Sequence, residues 1–161
     1  MEQIFQLAEQ AGTALKSRSL MLATAESCTG GGVSQAITEI AGSSGWFECG
    51  FVTYSNAAKS TMLRVPEQLI AQHGAVSEEV ARAMAEGALA ASKASISLST
   101  TGIAGPGGAV PGKPVGTVCF AWSVNRHTIS ERLVFEGNRQ SIREQAVAHA
   151  LRGLLRLLEQ R

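Results

Sequence analysis

Apolar residues recur along this chain in two rhythms. Over residues 2–17, Ile4, Leu7, Ala8, Ala11, Ala14 and Leu15 fall at helical spacing, which predicts an amphipathic helix. Residues 20–25 are then almost continuously apolar, as in a short strand buried on both faces. A glycine-rich turn occupies 26–32, after which Val33, Ala36, Ile37 and Ile40 restore the helical period and residues 42–45 end it. Residues 47–54 read as a second strand and 56–63 as a short helix. Pro66 opens a further helical stretch, since proline suits a first helical turn. Ser77, followed by Glu78 and Glu79, marks the start of a helix whose apolar face is Val80, Ala83, Met84, Gly87 and Ala88. Residues 95–101 alternate as a strand and run into a glycine-rich loop at 102–108. Strands at 115–124 and 127–135 are separated only by Asn125 and Arg126, which forces an antiparallel hairpin. A last helix over 138–160 buries Ile142, Ala146, Val147, Ala150, Leu151, Leu154, Leu155 and Leu158.

Helices alternating with strands predict an α/β fold: a three-layer α/β/α sandwich around a mixed, mostly parallel sheet of about five strands. With 161 residues and no linker, repeat or low-complexity segment, the chain is expected to form a single domain over 1–161. A net charge of +1 gives no basic field for nucleic acid. Cys28, Cys49 and Cys119 lack metal-site or disulfide-framework spacing, and His73, His127 and His149 are scattered, so no metal and no cofactor is expected. No apolar run approaches the ~18 residues of a membrane span, and the N-terminus carries no signal-peptide pattern. A cytoplasmic protein follows from these readings.

Four stretches could carry chemistry. At Glu26-Ser27-Cys28-Thr29-Gly30-Gly31, a hydroxyl and a thiol sit where a buried strand turns into a helix. Free amides there would stabilise an oxyanion or a phosphate, or Ser27 and Thr29 could simply cap the helix. Lys59 falls about one turn into the helix after Tyr54, Ser55 and Asn56. The helix dipole and partial burial would push it toward the neutral, basic form, whereas a surface lysine would do nothing. The strand end at Thr101 and Gly102 and the glycines beyond allow close approach of a ligand, or form a plain flexible loop. Arg139 and Arg143 are four apart at the start of the last helix, the wrong end for cations. They would read an anion such as phosphate, or pair with Glu136 or Glu144 at the surface.

Taken together, these stretches resemble the family of the C-terminal domain of the competence-damage-inducible protein, which includes stand-alone nicotinamide-nucleotide amidases. The matching strings are AESCTGG at 25–31, TYSNAAK at 53–59, GAVSEEVARAMAEGA at 74–88, TGIAGPGG at 101–108, KPVGTV at 113–118 and FEGNRQSIR at 135–143. Their order and spacing agree over nearly the whole chain. Arg64 and Cys49 stand where glycine is common in the family. The resemblance implies a mixed-sheet α/β/α fold. It also implies metal-free hydrolysis of nicotinamide mononucleotide to nicotinic acid mononucleotide and ammonia, in pyridine-nucleotide recycling.

On that resemblance Ser27 is the nucleophile, Lys59 its base and Tyr54 a nearby assisting hydroxyl. Cys28, Thr29, Gly30, Gly31, Asn56, Thr101, Gly102, Arg139 and Arg143 fall around the substrate. The absence of a fused N-terminal domain favours the stand-alone type, and a homodimer is expected. The partner is then a small-molecule nucleotide, with no nucleic acid and no membrane. Two rivals stay open: a thiol hydrolase using Cys28, and a nucleotide-binding regulatory module without turnover, which would need neither Ser27 nor Lys59.

Overall fold

The computed structural model describes residues 2–160. In chain order the elements are α1 (Glu2–Ser17), β1 (Leu22–Glu26), α2 (Gly32–Thr38), β2 (Phe47–Val52), α3 (Asn56–Leu63), α4 (Glu67–His73), α5 (Glu78–Ala90), β3 (Ile96–Gly102), β4 (Thr117–Val124), β5 (His127–Val134) and α6 (Arg139–Glu159). The glycine-rich segment after α2 holds a short 3-10 turn, Ser43–Gly45, that the apolar pattern does not reveal. The expected strands agree with these to within about two residues at each end.

The five strands form one sheet in the order β2-β1-β3-β4-β5. β1 pairs in parallel with both β2 and β3, and β4 runs antiparallel to β3 and β5. Four of the five strands therefore share a direction and β4 alone is reversed, the mixed, mostly parallel sheet that the hairpin implied. Asn125 and Arg126 make the hairpin turn at φ of 52° and 62°, the paired left-handed geometry that matches strand twist.

Helices cover both faces. Leu22, Ile96, Leu98, Val118, Phe120, Trp122 and Val124 pack toward α1, α2 and α6, where Leu15, Ile37, Ile142, Leu151 and Leu154 fill the layer. On the other face Ala23, Ala25, Cys119 and Ala121 meet the α3–α5 layer through Leu63, Val65, Val80, Met84 and Ala85. That face is built from small side chains, so α5 lies close to the sheet. Ser97 Oγ donates to the Ala85 carbonyl and Ser99 Oγ to the Ala81 carbonyl, both at 2.6 Å.

β1 has β2 on one side and β3 on the other. The chain leaves β1 into α2 on one face and leaves β2 into α3 on the opposite face. Such a reversal opens a crevice beyond the carboxyl ends of the strands, where ligands bind in open α/β sheets. Ser27 follows β1, Thr53 and Tyr54 follow β2, and Thr101 and Gly102 close β3.

Candidate active site

The turn after β1 is held by a carboxylate. Glu26 is fully buried. Its Oε1 accepts from the Val33 amide at 2.9 Å and from Thr29 Oγ1 at 2.5 Å. Its Oε2 accepts from the Ser34 amide at 3.0 Å and from Ser34 Oγ at 2.9 Å. Thr29 Oγ1 also lies 2.8 Å from Thr100 Oγ1. A charged acceptor with four donors satisfies a buried carboxylate and caps the first turn of α2 at once. The positive end of α2 is therefore occupied by the protein's own anion, and the sequence reading that the helix start is free for a ligand does not apply to it.

What stays open lies earlier in the turn. The amides of Cys28, Thr29 and Gly31 donate to no backbone carbonyl of the described residues, whereas that of Gly30 donates to the Ser27 carbonyl at 3.0 Å. Gly30 and Gly31 sit at φ of 59° and 97°, a left-handed pair in which glycine costs least. Ser27 itself is pinned by its amide, which donates to the Thr100 carbonyl at 2.9 Å.

Lys59 reaches this turn from α3. Ser55 caps that helix, its Oγ accepting from the Ala58 amide at 3.0 Å, and the first turn then aims Lys59 inward. Lys59 is 1% exposed. Its Nζ lies 3.0 Å from Ser27 Oγ, 3.0 Å from the Thr53 carbonyl oxygen and 3.1 Å from that of Tyr54. Burial pushes its ionisation below the ordinary lysine value, against a smaller opposing pull from Cys28. In the neutral amine, two N–H bonds can serve the two carbonyls while the lone pair faces the Ser27 hydroxyl, which is the orientation a base needs.

The neighbouring thiol behaves oppositely. Burial, and then the negative charge of Glu26, push Cys28 up to about 12. A thiol so held is protonated at neutral pH and unreactive.

A cleft of about 280 Å³ opens beside Ser27 and Lys59. Of the residues singled out in the sequence, Cys28, Tyr54, Asn56, Thr101, Gly102 and Arg139 border it, together with Ala75, Val76 and the loop from Ile103 to Gly108. Thr101 Oγ1 is already engaged, donating to the Ala75 carbonyl at 2.9 Å. The ring of Tyr54 stands at the mouth, 62% exposed. Its hydroxyl accepts from Arg139 Nη2 at 3.3 Å, and its contact with Ser27 and Lys59 runs through its backbone carbonyl.

The two arginines part company. Arg139 Nη1 donates to the Gly105 carbonyl at 2.7 Å and the side chain borders the cleft. Arg143 lies behind the turn. Its Nε donates to the Cys28 carbonyl at 3.0 Å and its Nη2 to the Thr29 carbonyl at 3.4 Å, and it borders a second, more apolar cavity of about 400 Å³ between α1, α2 and α6. Thr29, Gly30 and Gly31 likewise shape the turn without bordering the cleft. Neither arginine forms an ion pair with a carboxylate among the described residues.

Glu26 and Thr100 are the polar residues that the sequence reading passed over. The available signal was a carboxylate ending an otherwise apolar strand. Among the described residues, no three His, Cys, Asp or Glu side chains gather as a metal site would require. No described helix is long and apolar enough to cross a membrane.

The chain is 52% identical over 157 residues to a protein of Pseudomonas putida named nicotinamide-nucleotide amidohydrolase PncC, covering 98% of each. It is 55% identical over 153 residues to the protein of that name from Escherichia coli K12, covering 94% of this chain and 93% of that one. A crystal structure of a competence-damaged protein (CinA) superfamily member from Klebsiella pneumoniae superposes with a TM-score of 0.95 at 35% identity, over 98% of this chain and 99% of that one. The family model of the CinA C-terminal domain matches residues 4–158, and the chain belongs to that family.

Proposed function

We propose that this protein is a nicotinamide-nucleotide amidohydrolase. In this reading it converts nicotinamide mononucleotide to nicotinic acid mononucleotide and ammonia, in the recycling of pyridine nucleotides. Kinship with the amidohydrolases supports the reaction class. The observation that carries the chemistry is the buried Lys59 side-chain nitrogen 3.0 Å from Ser27 Oγ, since no structural role requires a lone lysine to be buried against a serine hydroxyl.

Neutral Lys59 takes the Ser27 proton as Oγ attacks the carboxamide carbon. The tetrahedral oxygen gathers negative charge beside the open amide of Cys28, which borders the cleft. Lys59 returns the proton to the departing nitrogen, ammonia leaves, and an acyl-Ser27 ester remains. Water, giving its proton to the same lysine, attacks that ester, and the carboxylate product and free Ser27 result. Arg139, at the cleft edge, takes the substrate phosphate. Tyr54 flanks the ring, and Asn56, Thr101 and Gly102 shape the wall. We take the domain to span 1–161 and to act as a cytoplasmic homodimer.

Ammonia release from purified protein supplied with nicotinamide mononucleotide tests the proposal. Ser27→Ala is expected to abolish release by about 10³-fold or more without loss of fold, and Cys28→Ala to keep most of it. An active Ser27→Ala beside a dead Cys28→Ala would transfer the chemistry to the thiol. Tight nucleotide binding with no ammonia from the parent protein would leave a regulatory module.

A further inference from the structure

The cleft has an unusual charge inventory for the ligand proposed. Its border carries Lys59 and Arg139 and no carboxylate. Nicotinamide mononucleotide bears a permanent cation on its pyridinium ring as well as an anionic phosphate. Arg139 answers the phosphate; no acidic side chain of the cleft answers the ring.

Nearby carboxylates are committed elsewhere. Glu26 faces the amides of Val33 and Ser34 and the hydroxyls of Thr29 and Ser34. On α5, which packs against α3, Glu78 accepts from Ser130 Oγ, Glu79 pairs with His73 and Glu86 accepts from Thr128 Oγ1. Arg82 on that helix donates to Ser130 and Thr128. From the turn, Cys28 presents a thiol held protonated by burial and by Glu26. From α6, Arg139 adds a second cation to the same cleft.

We propose that the substrate's own pyridinium charge completes the deprotonation of Lys59, so that the site is matched to cationic carboxamide rings. The inference rests on the amidohydrolase reading above. Its geometry is simple. Attack requires the carboxamide carbon about 3 Å from Ser27 Oγ, and Nζ lies 3.0 Å from that oxygen. The ring nitrogen, meta to the carboxamide, then sits roughly 6 Å from Nζ. Two like charges at that distance in a partly desolvated cleft disfavour each other by enough to move an ionisation by about one to two pK units. Burial already pushes Lys59 in this direction, and the bound cation adds to it. The same charge withdraws electrons from the carboxamide, so one feature of the substrate prepares both nucleophile and electrophile.

Linkage makes the effect measurable as binding. A cation that drives the proton off Lys59 must itself bind better once that proton has gone. The probes are nicotinamide mononucleotide and its uncharged isostere, the benzamide ribonucleotide, which keeps the carboxamide, ribose and phosphate. Both are titrated calorimetrically onto Ser27→Ala from pH 5.5 to 9. Phosphate ionisation is common to both ligands and cancels in their ratio. The affinity ratio of cationic to neutral ligand is expected to rise at least tenfold across the Lys59 ionisation, and to stay flat in Ser27→Ala combined with Lys59→Met.

A flat ratio in the variant that retains Lys59 overturns the proposal, as does an equal rise without the lysine. Turnover by the parent protein separates this from the parent reading. Ammonia released from nicotinamide mononucleotide with a flat ratio sinks the charge coupling alone, whereas no ammonia sinks the amidohydrolase itself.

Discussion

A lysine with three oxygen acceptors and almost no exposure is a conflict at the scale of one residue: the acceptors suit an ammonium, and burial opposes it. Burial dominates the balance at Lys59, so its proton is held less tightly than in an unfolded chain. Two consequences follow. The amidase rate should rise with pH through an ionisation below the ordinary lysine value near ~10.4. Folding stability should also rise with pH between the folded and unfolded ionisations, because there the unfolded chain binds the extra proton. Lys59→Arg keeps a cation that cannot deprotonate and should be as inactive as Lys59→Ala. Lys59→Met should resist urea at least as well as the parent, since no buried charge remains. Near-normal turnover in Lys59→Arg would demote the lysine to scaffold. In the sequence, Ser27 and Lys59 were legible as chemical types at two strand ends, but a surface lysine would read the same way. Burial depends on α3 packing over the β1 and β2 ends, which no local pattern encodes. Glu26 was missed for the mirror reason. Its partners Val33 and Ser34 are close in sequence, but Thr100 joins the network only when β3 pairs with β1.

Element boundaries were the most legible feature, because apolar period and capping residues act locally. Ser77 caps α5 as expected, its Oγ accepting from the Val80 amide at 3.2 Å, and Asn138 opens α6 with Oδ1 accepting from the Ser141 amide at 2.9 Å. The end of α3 is different. Arg64 closes that helix at φ 58°, a left-handed position that favours glycine and where a side chain costs about 1–2 kcal/mol. Arg64→Gly should therefore raise unfolding stability by about 0.5–1 kcal/mol once the greater freedom of the unfolded glycine is subtracted, and chemical denaturation reads this directly. At the start of α6 the sequence could not separate Arg139 from Arg143, since one helical turn sets them on the same face. Contacts across the fold separate them. Arg139→Ala should weaken the mononucleotide by about 10- to 100-fold, in line with 1.5–3 kcal/mol for a charge-assisted bond, and leave nicotinamide riboside, which lacks the phosphate, little changed. Arg143→Ala releases the carbonyls of Cys28 and Thr29 and should lower kcat for both substrates alike. Equal responses of the two ligands to Arg139→Ala would remove its phosphate role.

Across the whole molecule, the catalytic pair depends on how closely the elements pack, and two helical glycines allow close approaches on opposite faces of the sheet, Gly87 between α5 and α3 and Gly153 between α6 and β4. A Cβ on Gly87 of α5 would come within 2.1 Å of the Leu63 carbonyl oxygen at the end of α3. A Cβ on Gly153 of α6 would come within 2.0 Å of the Trp122 ring on β4, whose Nε1 donates to the Ala150 carbonyl at 3.0 Å. Neither clash is relieved by rotating a flexible chain end, so each alanine forces its helix away from that neighbour at a typical cost of about 1–3 kcal/mol. The functional outcomes should diverge. Gly87→Ala pushes against the backbone of the same short helix that carries Lys59, one turn upstream of Leu63. A shift of under an ångström there lengthens the 3.0 Å approach to Ser27 and degrades proton transfer. Gly153→Ala acts on the face remote from α3, and the ends of β1 and β2 stand between it and the lysine. Both variants should lose several degrees of Tm. At a temperature where each remains folded, Gly87→Ala should lose kcat at least tenfold while Gly153→Ala stays within about twofold of the parent. Equal kcat losses would mean that the sheet transmits layer displacement to the site from either face, and the α3–α5 contact would then hold no special place in aligning the base.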